Sequence, residues 1–121
     1  MKDNYKIIFY EDNNGYSDVE QYITTLHNKK DKNSKINFNK IVAYLDILEE
    51  KGNSVCYPIA RHILSNIWEL RPLDNRIMYA YIKNNNILIL SHFIKKTNKT
   101  PKLEIEKAQR RLDDYLERNL L

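Results

Sequence analysis

The chain has 121 residues, of which 42% are hydrophobic, 11% aromatic and 30% charged, with 20 Lys and Arg against 16 Asp and Glu, the profile of one globular domain with one core. That length leaves no room for a nucleotide-binding unit beside a catalytic one, and a lone Cys56 permits neither an internal disulfide nor a zinc ribbon. No apolar run approaches the ~18 residues of a membrane span, and the opening MKDNYKIIFYEDN turns acidic where a signal peptide would stay apolar, so a cytoplasmic location with no membrane partner is expected.

Residues 5–10 (YKIIFY) predict a strand ended by the turn cluster EDNNG. Ser17 with Glu20 three residues on makes a capping box, and Val19, Tyr22, Ile23 and Leu26 fall at helical spacing, so a helix of about three turns runs to near Lys29. A solvated basic turn containing Lys29, Lys30, Lys32 and Lys35 leads to a second helix with Phe38, Ile41, Tyr44, Leu45 and Leu48 as its stripe and Gly52 as its stop. The two helices form an antiparallel hairpin. NSVCYP reads as a loop, and residues 60–65 carry no decisive pattern.

Residues 67–71 (IWELR), 77–83 (IMYAYIK) and 87–95 (ILILSHFIK), separated by PLDN and NNN, predict an antiparallel three-strand meander. The third strand is apolar on both faces, hence central and covered on both sides. Thr100 as N-cap with Pro101 in the first helical position opens a final amphipathic helix through Ile105, Ala108, Leu112 and Tyr115. The expected class is α+β, in the order β-α-α-β-β-β-α.

Charge is distributed unevenly along this order. Residues 1–58 carry 8 basic and 9 acidic side chains, residues 59–121 carry 12 and 7, and all six Arg fall in the second part. A guanidinium grips phosphate through a planar fork where an ammonium acts as a point charge, so the second part is where a polyanion should meet the protein.

A four-residue PLDN connection sets Arg71 opposite Arg76 and Glu69 opposite Met78, two Arg on one face, while Trp68, Leu70, Ile77 and Tyr79 supply core on the other. Opposed like charges need an anion between them, which Glu69 or a phosphate supplies. The NNN turn leaves the next register open. A two-residue turn pairs Arg76 with Lys95 and Tyr79 with His92; a three-residue turn pairs Met78 with His92 and brings Lys96 to the Arg face. Lys99 and Lys102 lie around the start of the last helix, whose free N–H groups favour an anion.

Such a cluster fits cleavage of RNA by its own 2′-OH without a metal or other cofactor. Arg71, Arg76 and Lys95 or Lys96 hold the charge that grows on the phosphoryl oxygens, and His92 is the candidate proton carrier, weighed against a role as a satisfied polar residue in a buried strand. Trp68 and the nine Tyr are read as core and rim ahead of base-stacking platforms. His27, His62, His92 and Cys56 lack metal-ligand spacing, so no metal site is expected.

The stretches IWELR, NRIMY (75–79) and HFIKKTNKTP (92–101), followed by EIEKA from Glu104 and the pair Arg110-Arg111, resemble the phage-derived branch of the RelE/HigB toxins of bacterial type II toxin-antitoxin modules. The resemblance covers residues 64–118; upstream, only element order and length agree. It implies a RelE-like fold, an antiparallel sheet packed against a helical hairpin with a C-terminal helix. It also implies an endoribonuclease that cuts mRNA in the ribosomal decoding site without metal and arrests translation. The family's basic active-site positions fall on Arg71, on Arg76 and on Lys95, Lys96 or Lys99. The candidate catalytic residues are therefore Arg71, Arg76, Lys96 and His92, with Lys95, Lys99 and Lys102 as RNA contacts. Glu69 stands where the family often has Lys, and no Tyr occurs early in the last helix. The resemblance further implies a HigA-like helix-turn-helix antitoxin, through which alone operator DNA would be met. Two other readings belong to the same fold: a ParE-like gyrase inhibitor without nuclease activity, and a degenerate toxin acting only as a corepressor subunit.

Overall fold

In the computed structural model, which describes residues 4–120, the chain runs β1 (Lys6–Phe9), α1 (Asp18–Asn28), α2 (Lys32–Lys51), a 3-10 turn (Gly52–Ser54), β2 (Ala60–Leu64), β3 (Ile67–Leu70), β4 (Asn75–Ile82), β5 (Asn86–Ile94) and α3 (Lys102–Arg118). Ser17 starts α1 by accepting the Glu20 N–H at 3.1 Å. Asp31 does the same for the Ser34 N–H at 2.9 Å, so α2 begins a full turn before its apolar stripe, and Lys32 and Lys35 are helical residues instead of part of a basic turn. Gly52 ends α2 with φ of 53°. A Cβ there would collide with the Tyr5 ring, so both conformation and space demand glycine.

The strands lie in the order β1-β5-β4-β3-β2. β1 runs parallel to β5 and every other pair is antiparallel. Residues 60–65, undecided in the sequence, supply the edge strand β2, so the meander has four strands and the order is β-α-α-β-β-β-β-α. Edge strands mix polar and apolar residues, and β2 holds Arg61 and His62 beside the wholly buried Ala60.

β5 is an interior strand, one in from the β1 edge with β4 at the middle of the sheet, and both its apolar faces are covered. Ile87 and Ile89 pack with Ile41, Leu48 and Tyr79 beneath the helical hairpin, while Leu88 and Leu90 pack with Ala108 and Leu112 of α3. All four β5 side chains are fully buried, each worth roughly 1.5–3 kcal/mol.

The β3–β4 register is the expected one, Glu69 opposite Met78 and Leu70 opposite Ile77. The β4–β5 register matches neither alternative. The connection uses residues 83–85, with Asn84 and Asn85 both left-handed (φ 65° and 58°), so Ile82 faces Asn86. A bulge then slips the pairing by one, leaving Arg76 opposite Phe93 and Ile77 opposite His92. Thr100 does not cap α3 either. Pro101 holds the N-cap position with no side-chain bond, and the Thr100 hydroxyl is used elsewhere. Among the described residues no helix is long and apolar enough to cross a membrane.

Candidate functional site

Alternation along the strands places Arg61, Glu69 and Arg76 on the α3 side of the sheet, since Arg61 pairs with Glu69 and Glu69 with Met78. Arg71 follows β3 directly, anchored by its N–H to the Ile59 carbonyl at 2.9 Å. Glu69 sits at the centre, 1% exposed. The Thr100 hydroxyl donates to Oε2 at 2.6 Å, Arg61 Nη2 donates to Oε1 at 3.2 Å, and Arg71 Nε stands 3.8 Å from the same oxygen. Arg61 Nη2 also donates to Thr100 Oγ1 at 2.9 Å, so one hydroxyl joins strand, edge and the approach to α3.

Arg76 is buried, and its Nη1 donates to the Leu73 and Asn75 carbonyls at 2.8 Å each. Burial pushes its pKa down and Arg71 adds to the effect, while Glu69 and Asp74 oppose it. Two guanidinium groups, of Arg61 and Arg71, thus face one buried carboxylate, and that of Arg76 lies within electrostatic reach of both Arg71 and Glu69. Arg61 Nε and Arg71 Nε are themselves buried without a hydrogen-bond partner among the described residues. Excess positive charge with spare donors, held away from bulk water, is the electrostatic description of an anion site.

The loop after β5 crosses this end of the sheet. It begins where the Lys95 N–H donates to the Asp74 carbonyl at 2.8 Å, passes the Asn98 carbonyl, which accepts weakly from Arg61 at 3.4 Å, and ends at Thr100 on Glu69. Lys96, Lys99 and Lys102 are exposed along it and Lys95 is half-buried. Of the expected site residues, the fold therefore places Arg71 and Arg76 on one side of the sheet, while Lys95, Lys96 and Lys99 lie on the loop after β5 and Lys102 opens α3.

His92 is not among them. Opposite Ile77, it points to the helical-hairpin side. Its Nε2–H donates to Asn75 Oδ1 at 2.9 Å, an atom that can only accept and that also accepts the Tyr22 hydroxyl at 2.8 Å. The ring stacks on Tyr22 at 3.9 Å, and burial pushes its pKa down to about 4. The expectation of a proton carrier there is corrected by register: the sheet lies between His92 and the arginines.

Residues 20–113 match the profile of the family described as Phage derived protein Gp49-like. The chain belongs to that family. It is a toxin-like family, and the match spans every strand residue of the arginine cluster. No curated protein matches the chain significantly.

Two members of this Gp49-like site were missed in the sequence. Arg61 was hidden because residues 60–65 carry no decisive strand pattern, and even a two-residue Ser65-Asn66 turn pairing Leu64 with Ile67 would set it opposite Leu70; the irregularity between His62 and Leu64 is what brings it to Glu69. Thr100 was assigned to a cap by its place before Pro101, and nothing local reveals that its hydroxyl reaches a carboxylate 31 residues away. Among the described residues, no group of three His, Cys, Asp or Glu could hold a metal ion.

Proposed function

We propose that this Gp49-like chain is the toxin of a toxin-antitoxin module and an endoribonuclease that cuts mRNA in the ribosomal decoding site. The observation that carries the reading is that Arg61 and Arg71 both face the buried Glu69 carboxylate while the buried Arg76, on the same side of the sheet, is bonded only to backbone carbonyls and has no carboxylate of its own among the described residues. In the proposed reaction the ribose 2′-oxygen attacks the adjacent phosphorus, the P–O5′ bond breaks, and a 2′,3′-cyclic phosphate and a 5′-hydroxyl result. The 2′ proton leaves to solvent or a ribosomal group, and O5′ gains one. Arg71 and Arg76 stabilise the charge on the phosphoryl oxygens as it develops, and Lys95, Lys96, Lys99 and Lys102 hold the flanking backbone. Glu69 acts one layer below, fixing Arg61 and Arg71 without touching RNA.

The reading includes the cytoplasm as the site of action and a helix-turn-helix antitoxin as inhibitor, contacting operator DNA on behalf of the pair. Induction of wild type and Arg76→Ala in bacteria, with mapping of mRNA 5′ ends, tests it. Growth arrest with codon-phased cuts that vanish in Arg76→Ala is expected. Arrest that survives the substitution, or arrest with DNA damage and intact mRNA, overturns the nuclease reading, the latter in favour of gyrase inhibition.

A further inference from the structure

Tyr57 is the most exposed aromatic side chain among the described residues, 67% open to solvent, at a position where an aromatic ring gains nothing from the core. It is nonetheless firmly placed. The Cys56 carbonyl accepts both the Ile59 and Ala60 N–H groups, at 3.0 and 3.1 Å, fixing the turn that carries it into β2. The Arg71 guanidinium lies 5.2 Å from the ring centroid, on the same arginine whose Nε faces Glu69. One face of the ring is therefore against a cation of the cluster, and the exposure belongs to the other. A ring backed by a guanidinium and open on its far face is the arrangement on which unpaired nucleobases stack, and any base suits it because every base has a π-face.

We propose that Tyr57, backed by Arg71, is a stacking platform for an unpaired nucleobase next to the phosphate held by Arg71 and Arg76. This inference rests on the nuclease reading above and names its substrate as single-stranded RNA with a base free to leave its stack. A duplex, whose bases are engaged, would meet only the phosphate half of the site.

The test measures binding of the full chain to a short 2′-O-methyl oligoribonucleotide, which cannot be cut, and to inorganic polyphosphate, which has no bases. Tyr57→Ala should weaken oligonucleotide binding about tenfold and leave polyphosphate binding unchanged. Tyr57→Trp should retain oligonucleotide binding, and Arg76→Ala should weaken both ligands. Unaltered oligonucleotide affinity in Tyr57→Ala overturns the platform while leaving the phosphate site standing. An equal loss for polyphosphate also overturns it, because Tyr57 would then only prop Arg71. Failure of the wild type to bind the oligonucleotide at low salt overturns the platform outright; the nuclease reading is judged separately, by arrest and mRNA cleavage with Arg76→Ala.

Discussion

Arg111 and the trio Arg61, Arg71 and Arg76 carry the same side chain on opposite electrostatic terms. Arg111, from α3, grips the Asp18 carboxylate with both terminal nitrogens, at 2.9 and 2.8 Å, and gives a third bond to the Leu90 carbonyl at 2.8 Å. That bonding raises its pKa and lowers that of Asp18. It ties the first turn of α1 to α3 and to the middle of β5 at Leu90. In the trio, Arg61 and Arg71 share one carboxylate, and Arg76, bonded to backbone carbonyls, is driven toward a lower pKa by burial and by Arg71. A balanced guanidinium binds elements together; an unbalanced group costs the fold repulsion, which a bound anion would relieve. Sites where a fold tolerates such a local conflict are the sites to suspect of function.

The largest effect expected is on activity. Arg76→Ala should reduce mRNA cleavage by about 10²–10³-fold, the scale on which one fixed donor to a developing oxyanion contributes, while Arg111→Ala leaves cleavage of folded protein unchanged. Primer-extension counts at cut sites, normalised to soluble toxin, measure both. Equal losses from the two would erase the distinction between the arginines. Next comes Glu69→Gln, which keeps the shape at the centre of the trio and removes its only buried negative charge. It should cost about 2–3 kcal/mol of stability in urea unfolding, because Arg61 and Arg71 are left facing no counter-charge. Inorganic phosphate should restore part of that loss by binding the folded state alone. A variant as stable as wild type would mean that the trio is already screened by solvent.

Arg111→Ala should cost less, about 1–2 kcal/mol, since the partner Asp18 remains 40% exposed and can rehydrate. Its signature is pH. The Arg111 bond holds the folded Asp18 below its ordinary carboxylate range, so the pair's contribution is complete above that range and lost as pH falls through the depressed value. The stability difference between wild type and Arg111→Ala should therefore narrow in acid.

What the sequence disclosed about these two regions differs for a physical reason. The β3–β4 pairing follows from a four-residue turn and strict alternation, so the sequence places Arg71, Arg76 and Glu69 on one face, with either Glu69 or a phosphate left as the anion between the two arginines. The helices were legible where Ser17 and Gly52 punctuate them. The β4–β5 register was not, because the turn takes residues 83–85 and leaves Asn86 in the strand, and a bulge then shifts the pairing between Met78 and Tyr79, neither of which a run of three Asn marks. Arg61 and Thr100 were lost because an edge strand reading Ala-Arg-His-Ile-Leu has no clean alternation to signal it, and a hydroxyl that bonds across 31 residues has no local mark. The Asp18–Arg111 pair, 93 residues apart, was equally invisible.

The smallest effect expected is at His92, and it sharpens the separation of the two sheet faces. His92→Phe preserves a ring against Tyr22 but gives up the bond to Asn75, which still accepts from Tyr22; about 1 kcal/mol at neutral pH is the expected loss. Burial holds the folded imidazole neutral down to about pH 4 against an ordinary value of 6.5. As pH falls from 6.5 toward 4 the unfolded chain takes up a proton that the folded chain refuses, so wild-type stability declines through that window. The Phe variant has no such proton to bind, and its urea midpoint should fall less over the same interval, closing on the wild type and then passing it. Cleavage should keep the wild-type pH profile throughout, because a ring on the far side of the sheet cannot exchange protons with a phosphate held by Arg71 and Arg76. A cleavage profile that shifts with His92→Phe would require the two faces to communicate, and the register of β4 on β5 would have to slip by one to let them.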